Sequence, residues 1–107
     1  MRAMLVAWAL AGGLLAYPAA AHGPTVRVSP GRVVPTVLTI RVGETVHFHN
    51  ATSSGAPVTV VADDGSFESP TLGRAEGYHH TFESPGEVAF HLRESSRARG
   101  RVIVVAE

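Results

Sequence analysis

The sequence predicts an all-β chain, a small sandwich of about seven strands that follows an N-terminal leader. Three observations predict it. After residue 21, apolar and polar residues alternate at period two through most of the chain. Turn signals rich in Gly, Pro and Ser separate the alternating runs. No stretch sustains a 3.6-residue apolar repeat, although Ser95 to Arg99 has room for one turn of helix.

The elements follow in order. Residues 1 to 21 read MRAMLVAWALAGGLLAYPAAA. Arg2 supplies a positive start, and Met4 to Leu15 form an apolar core too short for a bilayer span. Ala19 and Ala21 make a small-x-small cleavage site, so 1–21 is expected to be a signal peptide and His22 to Glu107 the mature domain, 107 − 21 = 86 residues. Val26 and Val28 alternate with Thr25 and Arg27 in a first strand. Leu38, Ile40 and Val42 mark a second, and Val46 and Phe48 a third, interleaved with His47 and His49. Val58 to Val61 form a short fourth. Tyr78, His80 and Phe82 share one face of a fifth, with His79 and Thr81 on the other. Val88 and Phe90 mark a sixth that carries His91, and Arg101 to Val105 close the chain. Turns are expected at Ser29-Pro30-Gly31, Gly43-Glu44, Ser53-Ser54-Gly55, Asp63-Asp64-Gly65, Ser84-Pro85-Gly86 and Arg99-Gly100.

Composition excludes several functions. The chain has 107 residues with a formal net charge of +0 and no cysteine. Zero net charge argues against an electrostatic nucleic-acid binder. Without cysteine there is no disulfide, zinc–thiolate site, thiol nucleophile or blue copper centre. Ser, His and acid residues occur in no catalytic spacing, and no phosphate loop is present, so no enzyme is expected. The mature domain is expected to be exported, periplasmic or secreted, and free of the membrane after cleavage. A domain of this size lacking a disulfide is expected either to have a well-packed core or to gain support from a metal or a partner.

Several segments together resemble the cupredoxin family. Pro35 to Asn50, PTVLTIRVGETVHFHN, resembles its Pro, apolar alternation, Gly-acid turn and Val-x-Phe-x-Asn. Asp63 to Leu72 (DDGSFESPTL), Thr81 to Gly86 (TFESPG) and Gly100 to Val104 (GRVIV) resemble later landmarks. The resemblance covers nearly all of the mature chain and implies a Greek-key β-sandwich. It also implies a copper site with a His after the Asn and a Cys, a His and a Met in the last loop. Those positions fall on Val58, Leu92, Ser95 and Ala98. None can serve as the family's ligand, so an electron carrier of the blue-copper type is not expected; fold does not carry function.

The histidines hold the remaining chemistry. His22, first in the mature chain, would offer its α-amine and ring nitrogen to one Cu(II), with another His completing a histidine brace. Amine and imidazole nitrogen suit Cu(II). His47 and His49 point to the same outer face, about 7 Å apart at Cα. With the strand of His91 expected beside theirs and the first strand on the other side, His22, His47, His49 and His91 form the expected metal set. His79 is expected to point outward and His80 to sit at the rim of the core. Asp63-Asp64-Gly65 reads as a turn rather than a cation site.

The expected function is therefore a small exported metal-binding domain that handles Cu(II). The alternative is a metal-free interaction domain. Its contact, with a partner protein or a second copy, would be the His face or the basic patch of Arg93, Arg97, Arg99 and Arg101.

Overall fold

A computed structural model describes residues 23–106. The expected leader, 1–21, and His22 lie outside the described residues. Eight strands form: β1 (Thr25–Ser29), β2 (Arg32–Val34), β3 (Val37–Arg41), β4 (Thr45–Asn50), β5 (Val60–Ala62), β6 (Gly77–Thr81), β7 (Gly86–Leu92) and β8 (Ser95–Val105). They build two four-stranded sheets, ordered β2-β1-β4-β6 and β3-β8-β7-β5. Each sheet is mixed: β1 runs parallel to β4 and β3 parallel to β8, while the other neighbours are antiparallel.

The period-two pattern becomes the packing. Val26, Val28, Val46 and Phe48 point inward from the first sheet, and Val60, Phe90, Leu92 and Val102 from the second; all are essentially fully buried. Each such side chain contributes about 1.5–3 kcal/mol through burial. Phe48 is central, edge-on to Phe90 at 5.2 Å and beside Phe67 at 5.7 Å. The expected Asp63-Asp64 turn forms, with Asp64 Oδ1 accepting from Ser66 N at 2.8 Å. Hydrogen bonding from the Ser66 side chain, and then from its backbone, holds the exposed Asp64 carboxyl below its ordinary pKa.

Arg32–Val34 adds an eighth strand, paired with β1, to the expected count of about seven. Two local expectations are corrected. Ser95 to Arg99 is strand rather than helix, and Arg99-Gly100 lies within β8 rather than in a turn. Gly100 stands opposite Phe90, and a Cβ there would come within 2.7 Å of the Phe90 ring. The glycine makes room for an aromatic side chain and does not bend the chain.

Candidate functional site: the histidine face

The end of the sandwich where the cupredoxin resemblance puts copper is closed. Val58 and Leu92 are fully buried, and Ala98 is 1% exposed. β7 and β8 are joined through Arg93-Glu94, with Leu92 paired to Ser95, so Ser95 and Ala98 belong to a strand and not to a ligand loop. Two polar side chains nearby bond within the chain, while the buried Thr52 Oγ1 has no partner among the described residues. Glu94 accepts from Thr59 N at 2.7 Å and from Thr59 Oγ1 at 2.8 Å. Asn50, also buried, donates through Nδ2 to the carbonyls of Ala56, Leu72 and Gly73 at 2.9–3.0 Å and accepts from Thr52 N. Two aliphatic side chains and a bonded carboxylate do not fit a thiolate–imidazole copper site.

The histidines of β4 lie on the outer face of the first sheet. Val46, Phe48 and Asn50 are buried, while His47 and His49 alternate with them and are half-buried. Their neighbours are β1 and β6. His47 stands opposite Thr25 on β1 and His79 on β6; His49 stands opposite Arg27 and Gly77. The His47 and His79 rings are 4.3 Å apart between centroids, tilted by 30°. His49 is 6.0 Å from His47, edge to face. Next along the same face, the Thr45 and Thr81 hydroxyls meet at 2.6 Å. A Cβ on Gly77 would overlap the His47 imidazole, so the glycine opens the space that this ring occupies.

Sequence reasoning placed His47 and His49 together with β1 beside them, as observed, and turned His79 outward but left it out of the metal set; it did not single out Gly77. The signal for Gly77 was a glycine at the start of an alternating run, a common mark of close approach. Pro24 accepts from His47 N at 2.9 Å, so the described chain enters β1 alongside this face. His22, joined to Gly23, is outside the described residues. Among the described residues, no group of three or more His, Asp or Glu forms a metal site.

His91 is corrected. It does point outward between buried Phe90 and Leu92, but β7 pairs with β5 and β8, so His91 lies on the outer face of the second sheet. Its Nδ1 is 2.6 Å from Asp63 Oδ1, and Arg99 donates to Asp63 Oδ2 at 3.1 Å. The expected basic patch is largely neutralised: Arg93 pairs with Glu68, Arg99 with Asp63 and Arg101 with Glu87. His80 sits at the rim of the core as expected, 4.5 Å from Phe67 and 4.8 Å from Phe82 between centroids. Burial lowers its pKa below the ordinary 6.5.

No protein-family model and no curated sequence matches the chain. Solved structures do. A Cu(I) form of an amicyanin variant aligns at 24% identity with a TM-score of 0.67, covering 78% of this chain and 82% of that one. A purple cupredoxin from Nitrosopumilus maritimus aligns at 23% identity and 0.69, covering 77% and 99%. A copper-containing nitrite reductase from Thermus scotoductus aligns at 26% identity and 0.69, covering 79% of this chain but 23% of the enzyme. With its strand order and its two mixed four-stranded sheets, the chain has the cupredoxin-like fold.

Proposed function

We propose that this is a small exported copper-handling domain that takes Cu(II) through nitrogen ligands on the outer histidine face. In this reading, residues 1–21 are removed as a signal peptide after Ala21. His22 then supplies its α-amine and ring nitrogen, and His47, His49 and His79 supply imidazoles. One observation carries the reading: the His47 and His79 rings lie side by side at 4.3 Å, with His49 at 6.0 Å from His47. His47 and His49 are on the strand beside the one that begins three residues after His22. A metal about 2 Å from each ligating nitrogen is within reach of neighbouring imidazoles that turn toward it. Nitrogen donors without thiolate suit Cu(II) and do not make a blue centre. The domain would bind and pass on the ion rather than catalyse a reaction.

The test is a Cu(II) titration of the chain beginning at His22, followed by electron paramagnetic resonance. One tightly bound equivalent is expected, with nitrogen hyperfine structure and no intense blue colour. His47→Ala with His49→Ala, or His47→Ala with His79→Ala, should weaken binding at least about tenfold. One residue added before His22 should do the same, since it displaces the α-amine from the chelate ring. Weak, non-stoichiometric binding by the unaltered chain would overturn the reading in favour of a metal-free interaction domain.

A further inference from the structure

The outer face of the β2-β1-β4-β6 sheet has an unusual charge pattern. None of its four strands contains Asp or Glu, yet β1 and β2 present Arg27 and Arg32. Neither guanidinium has a hydrogen-bond or ion-pair partner among the described residues, whereas Arg93, Arg99 and Arg101 on the second sheet are all paired. Glu76, just before β6, is already engaged, accepting from Gly73 N at 2.6 Å.

The register brings the two arginines together. Arg27 is opposite Val34, and Arg32 is opposite Ser29, so the arginines are diagonal neighbours on one face, about 7–8 Å apart along the backbone and somewhat closer at Cβ. Together with Ser29, Val34 and Ala51 they line a shallow groove of about 300 Å³. Arg41 and Arg97 also lack carboxylate partners, but neither lines this groove.

We propose that the Arg27–Arg32 groove is a carboxylate-binding site through which this sheet face docks an acidic segment of a partner protein. Two guanidiniums on adjacent strands present planar pairs of donors that match carboxylate oxygens. The sheet supplies no internal acid to compete with them. Val34, 45% exposed at the edge of the groove, provides apolar contact for the methylenes of a glutamate. A protein fits better than a membrane, because anionic bilayers are recognised by clusters of about four to eight basic residues and this face carries two. The site does not depend on copper, although Arg27 is the cross-strand neighbour of His49, one of the ligands proposed above.

The test uses the metal-free chain in EDTA at low ionic strength, with hexaglutamate peptide as the probe and backbone amide NMR as the readout. Saturable shifts confined to β1, β2 and the neighbouring part of β4 are expected. Arg27→Gln with Arg32→Gln should weaken binding at least about tenfold. Arg99→Gln with Arg101→Gln removes the same charge from the other sheet and should change affinity by less than about twofold. The same spectra report whether each variant is folded. Shifts on β5, β7 and β8, equal weakening by both double variants, or no binding would overturn the proposal. So would a preference for phosphatidylserine vesicles over the peptide, lost with Arg27 and Arg32, which would make the face a membrane surface.

Discussion

The closed end of the sandwich and the outer face of its first sheet use polar side chains in opposite ways. At the closed end, around Val58 and Leu92, Asn50 and Glu94 each bond groups inside the chain and hold loops to strands. On the outer face, His47, His49 and His79 crowd one another, and Arg27 and Arg32 have no carboxylate beside them. This fold therefore ties its polar side chains internally at one end while its nitrogen donors collect on another face. The difference teaches that donor atoms, rather than position in the fold, decide where metal chemistry is sought.

The sharpest way to break this comparison is to open the closed end. Asn50→Ala removes four hydrogen bonds from a residue 1% exposed and leaves the Leu72 carbonyl without its side-chain partner. A loss of about 3 kcal/mol is expected in urea unfolding. Glu94→Ala is next. It strips the acceptor from two donors of buried Thr59, and about 2 kcal/mol should be lost. Glu94→Gln, which keeps one acceptor, should cost less. If neither substitution lowers stability, the bonds of Asn50 and Glu94 do not hold the closed end together. If either one changes Cu(II) affinity in the folded protein, the two regions are coupled.

A smaller effect separates His80 from the outward-facing histidines. Burial against Phe67 and Phe82 lowers its folded pKa below 6.5. Well above pH 6.5 it is neutral in both folded and unfolded chains and adds no pH dependence. As pH falls below 6.5, the unfolded chain takes up a proton that the folded chain resists, so stability drops. His80→Phe, measured in EDTA, should flatten this part of the profile between about pH 6.5 and pH 5. An unchanged slope would show that His80 is not held neutral by the fold.

Much of the fold was legible because period two maps directly onto burial. Val26, Val28, Val46, Phe48 and Phe90 were all placed inward by alternation alone, and all are buried. β2 was missed because three residues, Arg32 to Val34, are too short to show a period. The start of β8 was missed because Gly100 signals a turn locally, whereas its role is set by Phe90 across the sheet. The histidine face was half legible. Alternation put His47 and His49 on one side, but which strand lies next to β4 depends on strand order, a tertiary property. The pairing of β4 with β6 brings in His79 and leaves His91 on the other sheet. The same gap hid the carboxylates that neutralise Arg93, Arg99 and Arg101, since their partners are 14 to 36 residues away in sequence.

The smallest expected effect is the one that tests whether the two outer faces are independent. Asp63→Asn weakens the contacts of one carboxylate with His91 Nδ1 and Arg99 Nη2. An asparagine oxygen can still accept from one of them, and Arg99 keeps its 3.1 Å bond to the Ser96 carbonyl. The groups are partly exposed and screened, so less than about 1 kcal/mol of stability should be lost, and less still at high salt. The change frees the His91 ring on the second sheet without touching β4 or β6. Cu(II) affinity should then stay within about twofold, because a ligand set on the first sheet does not include His91. A larger shift in affinity would return His91 to the metal site and require the two faces to act together.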